Sequence, residues 1–210
     1  MRKFLIGSAL GGLAIAGLAV SSFAQMPTEA PGKADPTRVA AGTYTIDTNH
    51  TLVSFVINHL GFNDYFGLFG GITGTLALDP ANHSHDHLSV DVAMTGLTTT
   101  NPKLNEHLSS ADFFNVAKFT TAHFESSDVQ TGPKGAAIDG MLTLHGVTKP
   151  VTILAKFTGA GAAPAMMGGK TTVGFEGETK IKRSDFGMGW GVPLVGDEVQ
   201  LYMTAAFEKN

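Results

Sequence analysis

From Thr43 onward, apolar and polar residues alternate along most of the chain. In "TLVSFVIN", Val53, Phe55 and Ile57 share one parity, against Leu52, Ser54, Val56 and Asn58. "GITGTLALD" sets Ile72, Leu76 and Leu78 against Thr73 and Thr75, and "LSVDVAM" sets Leu88, Val90, Val92 and Met94 against Ser89, Asp91 and Ala93. "AAIDGMLTL" and "PVTILAKF" repeat the pattern through Ile138, Leu142 and Leu144, then Val151, Ile153 and Phe157. "KTTVGFEGETKI" and "EVQLYMTAAF" complete the set. A period of two puts alternate side chains on opposite faces of an extended chain. A polar partner face marks antiparallel strands covered on one side. Short strands punctuated by Gly, Pro, Asn and Asp predict an all-β chain of roughly eight or nine strands, enough to close a small barrel around one ligand.

One segment departs from this alternation. "TTTNPKLNEHLSSADFFNV" (Thr98 to Val116) has Pro102 just after Asn101, with Leu104 and Leu108 at helical spacing. An Asn cap followed by proline at the first helical position predicts a short helix or two inserted between strands.

Composition bounds the rest. A chain of 210 residues, 43% hydrophobic and 15% charged, makes one domain with a real core. Arg2 and Lys3 precede an uncharged run from Phe4 to Ala24, and "SFA" supplies small residues before Gln25. This predicts a cleaved signal peptide over 1–24 and an exported, periplasmic protein. Residues 25–42, rich in Pro, Ala and Gly, read as a flexible linker ahead of a barrel domain over 43–210. The net charge is −4 and the 14 basic residues are scattered, which argues against nucleic acid as a partner. With no cysteine, thiol catalysis, thiolate metal sites and iron–sulfur clusters are excluded.

"NHSHDHL" (Asn82 to Leu88) carries three of the eight histidines at alternate positions. If that stretch is extended, His83, His85 and His87 face one way and have the ligand count for a metal. It lies, however, between two predicted strands, and a hairpin tip lacks the support a metal site needs. A metal-binding protein centred on these residues therefore stands as the alternative to a solvated turn. "RSDFG" contains Asp-Phe-Gly without the other kinase elements, so Arg183 and Asp185 are read as a buried pair near a strand end. No G-x-S-x-G elbow accompanies Ser109, Ser110 or Ser184, which leaves a hydrolase as a further alternative without a motif. "LHGVTKPV" reads as a hairpin connection turned by Gly146, with Pro150 at the start of the next strand. Fourteen Phe and eight Met supply apolar bulk without polar atoms to satisfy. Gly74, Ala77, Ala93 and Ala155 are candidates for leaving room inside the barrel.

Taken in order, "YTIDTNHTLVSFVINHLGF", "GLFGGITGTLALDP", "LNEHLSSADFFNVAKF", "DGMLTLHGVTKPVTI" and "IKRSDFGM" resemble the YceI-like family of exported lipid-binding proteins, from about Tyr44 to Phe207. One departure is Thr120, where the family often has proline after the "AK-aromatic" pair. The resemblance implies an extended antiparallel eight-stranded barrel of lipocalin type. It also implies a polyisoprenoid chain or quinone tail bound inside, with no catalytic residue and no other cofactor. On that basis the candidate tunnel residues are Val53, Phe55, Ile57, Leu76 and Val92, followed by Phe124, Leu142, Ile153, Phe175 and Met203. His59, Arg183 and Asp185 are the polar candidates near a head group. A lipid ligand implies transient membrane contact, and the insert over Asn101–Asn115 suits either a barrel cap or a homodimer contact.

Overall fold

The computed structural model describes residues 28–210. The signal peptide predicted over 1–24, and the first residues of the linker, lie outside the described residues.

Eleven strand segments form one closed sheet. β1 (Gly42–Ile46) and β2 (Leu52–His59) are two halves of one strand, as are β3 (Asn63–Phe69) and β4 (Ile72–Leu78). Together they make a single antiparallel hairpin, with Gly42 opposite Leu78 at one end and His59 opposite Asn63 at the other. β5 (His87–Ala93) and the two-residue β6 (Leu97–Thr98) likewise run on beside β4 and β3. β7 (Thr121–Gly132), β8 (Gly135–Leu144), β9 (Val147–Ala162), β10 (Thr171–Lys182) and β11 (Val195–Lys209) each pair with the next. β11 then returns to pair with both β1 and β2. Three of the breaks fall inside a strand, so eleven segments make an eight-stranded up-and-down barrel. Closure leaves no long free edge.

The breaks have local causes. Between β3 and β4 the chain corners at Gly70–Gly71, where Gly70 donates its N–H to the Gly96 carbonyl at 3.1 Å. A Cβ on Gly96 would meet the Gly70 oxygen at 2.2 Å, so only glycine permits this approach. The predicted helix is α1 (Pro102–Ser109), and the Asn101 side chain accepts from the amides of Lys103 and Leu104. β9 begins at Val147, earlier than expected, and Pro150 sits within it opposite Met141. Pairing with β10 starts only at Leu154, so Pro150 lies where one side of β9 is free and a missing N–H costs little.

Buried side chains gather toward both ends of the barrel. Phe55, Phe69, Met94, Leu144, Phe186 and Met188 form a cluster near α1. Tyr44, Ile46, Ile72, Leu76, Val173 and Phe207 form the other. The linker is ordered before it reaches β1. Lys33 exchanges backbone hydrogen bonds with Ala160 at 3.0 and 2.9 Å, and Pro36–Arg38 form a 3-10 turn capped by Asp35. Val39 packs against the second cluster.

Candidate functional site

The barrel interior is a cavity of about 1280 Å³. Val53, Phe55, Ile57, Leu76 and Val92 line it, as do Phe124, Leu142, Ile153, Phe175 and Met203. Register shifts keep apolar residues inward along strands too long for one parity. On β7 the inward set passes from Ala122 and Phe124 to Val129 and Thr131 across the bulge between Ser126 and Asp128. On β9 it passes from Phe157 to the buried Ala160 across the irregularity opposite Gly174 and Phe175. Each bulge adds one residue to one strand and so inverts the faces beyond it.

Of the four small residues expected to make room, Ala155 lines the cavity and Gly74, Ala77 and Ala93 do not. Gly74 instead accommodates the Ser89 carbonyl, which would lie 2.2 Å from an added Cβ. Space inside comes with Gly177, Ala136, Ala155 and Ala205. A Cβ at Gly177 would stand 3.2 Å from Ile153 and 3.6 Å from Met203.

The polar candidates separate. His59 and Arg183 line the cavity, whereas Asp185 is exposed on the 3-10 turn after β10 and does not. The expected Arg183–Asp185 pair is not formed. Arg183 is only 4% exposed and donates to four backbone carbonyls. Its Nε reaches Gly196 at 2.8 Å, Nη1 reaches Met188 at 2.6 Å and Trp190 at 2.8 Å, and Nη2 reaches Val195 at 2.9 Å. The planar fork of five N–H donors suits such convergence. Burial pulls the Arg183 pKa below its ordinary value, opposed by Asp197. Burial also raises the Asp197 carboxyl, but the Ser184 hydroxyl and amide, together with Arg183 and Lys182, bring it below the usual carboxylate value. The acidic partner of this turn is thus Asp197, which accepts from Ser184 N and Oγ at 2.9 and 2.7 Å.

The loop gathered by Arg183 forms one rim of the cavity. His107, Phe113 and Trp190 meet there edge to face, with ring centroids 5.0–5.3 Å apart. All three line the cavity, beside Leu104 and Leu108 of α1. His145, in the β8–β9 turn, donates from Nδ1 to the Phe186 carbonyl at 3.0 Å and rests against Phe119. That hydrogen bond ties the β8–β9 turn to the turn after β10, which is a structural role.

The histidine stretch is not extended. His83–His85 form a 3-10 turn, because the Asn82 side chain caps it by accepting from Ser84 N. The three rings consequently diverge, and each meets a different carboxylate. His83 lies 2.8 Å from Asp86, His85 2.9 Å from Asp79, and His87 2.9 Å from Glu125. Among the described residues, no group of three His, Cys, Asp or Glu is placed to hold a metal. His83 and Asp86 instead reach the cavity, at the end where Pro36, Thr37 and Val39 also line it.

Glycine-interleaved loops supply rim residues that alternation cannot reveal. Leu60, Trp190 and Leu194 line the cavity and also stand exposed. For Trp190 and Leu194 the signal in the sequence is an uncharged apolar run with glycine punctuation, "GWGVPLVG".

The YceI-like domain profile matches residues 44–207. A protein named YceI from Salmonella arizonae is 40% identical over 166 residues, spanning 78% of this chain and 85% of its own. The UPF0312 protein of Pseudomonas aeruginosa LESB58 is 39% identical over the same shares. Among solved structures, BcnA of Burkholderia cenocepacia superposes with a TM-score of 0.68 at 23% identity, covering 77% of this chain and 98% of BcnA. A polyisoprenoid-binding domain from Saccharophagus degradans shares the fold with a TM-score of 0.55 at 12% identity, over 80% of this chain and 98% of that domain. With nearly all of its barrel domain matched, this chain belongs to the YceI-like family.

Proposed function

We propose that this protein is an exported, periplasmic carrier that holds an isoprenoid lipid, a polyprenyl chain or a quinone tail, inside the barrel. The observation that carries the reading is the cavity of about 1280 Å³, walled by inward-facing Val, Leu, Ile, Phe and Met from the barrel strands. Such a space suits a long flexible hydrocarbon and offers little to a polar metabolite. Each buried methylene contributes roughly 0.8 kcal/mol, so several isoprene units exceed the ordering costs of binding. The polar head stays in water at the rim, near His59 and His107. The Saccharophagus domain that shares this fold is described as binding polyisoprenoid, which supports the same ligand class here. The signal segment predicted over 1–24 supports export.

Thermal unfolding with added quinone or polyprenol tests the reading. A ligand at a hundred times its Kd stabilises by about 2.7 kcal/mol, which for a domain of this size raises Tm by about 5–10 °C. An unchanged Tm with both ligand types would contradict it.

A further inference from the structure

The two segments beside the cavity rim carry a group of large apolar side chains that the barrel does not cover. Phe62 is 87% exposed, Leu194 69% and Trp190 51%, with Leu60 and Val192 also exposed. Leu60 and Phe62 sit on the β2–β3 hairpin, and Trp190, Val192 and Leu194 on the connection from β10 to β11. The segments are joined directly, since Leu60 donates its N–H to the Leu194 carbonyl at 2.9 Å and His59 pairs with Val195. Neither Leu60–Phe62 nor Gly189–Leu194 contains an Asp, Glu, Lys or Arg. A soluble protein seldom leaves such a group in water without a surface to meet it.

The chemistry of that surface follows from where the collar stands. Leu60, Trp190 and Leu194 belong both to the collar and to the cavity wall, so apolar surface is continuous from the outside of the protein into its interior. A protein partner seated there would stopper the cavity. A bilayer would extend it. Trp and Phe with Leu on glycine-punctuated loops suit the region between head groups and acyl chains, where amphipathic rings settle. The absence of charge on both segments fits insertion among lipids irrespective of their head-group charge.

We propose that this collar docks the barrel onto a lipid bilayer surface, seating the cavity rim against the acyl region so that a lipid passes between membrane and barrel without crossing water. The cargo part of this statement rests on the isoprenoid reading above, while the docking part is tested without any cargo.

Trp190 is the only tryptophan in the chain, so its fluorescence reports on the collar alone. The exported form, without the signal segment predicted over 1–24, is mixed with phosphatidylcholine–phosphatidylethanolamine vesicles, with and without brominated acyl chains. Docking shifts Trp190 emission to the blue, and brominated lipid quenches it. The paired variant Phe62→Asp, Leu194→Asp lies at exposed positions, and its fold is checked by circular dichroism and Tm. It requires about tenfold more lipid, or beyond, for the same shift. No shift with vesicles overturns the proposal, as does a shift equally strong in the folded variant. A shift that appears with protein concentration in the absence of lipid, and vanishes in the variant, overturns it in favour of contact between copies. Docking without any extractable isoprenoid would leave the membrane surface standing and remove the cargo.

Discussion

At the α1 end of the barrel one buried cation, Arg183, gathers the carbonyls of Met188, Trp190, Val195 and Gly196. At the opposite end the β4–β5 turn is held by pairs of half-exposed histidines with carboxylates, where His83 meets Asp86 and His85 meets Asp79. Both ends border the same cavity, yet they close it differently. The far end is crossed by Pro36–Val39 and tied to the barrel through Lys33 and Ala160. The α1 end leaves Trp190 and Leu194 exposed around the opening. A buried guanidinium bonded to several carbonyls fixes a loop through the interior, so that loop's outer surface is free to be apolar. Pairs of half-exposed histidines with carboxylates hold the other turn at the border of the cavity, and pairs this open to water are weak and easily replaced.

The comparison predicts unequal costs. Replacing Arg183 with Met leaves four carbonyls near the interior without donors and should lower unfolding free energy by about 4 kcal/mol, read by chemical denaturation. A cost near that of a surface substitution would mean the rim loop does not depend on the clamp.

Between the ends, Gly177 tests whether the interior is the working space. Gly177→Leu projects a side chain between Ile153 and Met203. It should weaken isoprenoid binding about tenfold, or 1.4 kcal/mol, with a separate stability cost of about 1–3 kcal/mol. Calorimetric titration alongside denaturation separates the two quantities.

A smaller effect is expected from pH at the α1 end. The Asp197 carboxyl is held below its ordinary value, so its ionised form favours the folded state. That contribution is present above the unfolded carboxylate pKa, about 3.9, and is lost as pH falls through the lower folded value. In wild type, local stability of the rim loop, read by hydrogen exchange of Ser184, should decline below about pH 4. Asp197→Asn should remove that dependence at a cost of about 1 kcal/mol or less, since the group is largely solvated. The smallest effect belongs to the far end, where His83→Ala should stay within about 0.5 kcal/mol of wild type.

The barrel was legible because alternation is a local consequence of the pleat. Val53, Phe55 and Ile57 face inward as read, and so do Leu142 and Ile153. Alternation says nothing about where parity changes. The shifts at Ser126–Asp128 on β7 and near Gly174 depend on pairing with a neighbouring strand, which no single segment records. Gly74 shows the same limit, since its inward place is taken by the Ser89 carbonyl of the next strand. The histidine spacing matters only in an extended chain, and the stretch is a turn, as the reading of a solvated turn had it. Asn82 caps a 3-10 turn there, and local capping outweighs an extended conformation. Arg183 was singled out, but its partners are backbone carbonyls 5–13 residues along, which side-chain charge cannot indicate. The collar leaves no trace in the alternation because loops have no period.

Extraction of the purified protein with organic solvent, followed by mass spectrometry of the lipid fraction, tests the isoprenoid cargo most directly. Wild-type protein should yield a polyprenyl or quinone species in stoichiometric amount, and Gly177→Leu prepared in parallel should yield much less. Repeated wild-type preparations without isoprenoid, or equal yields from the two proteins, would contradict an isoprenoid held in the barrel.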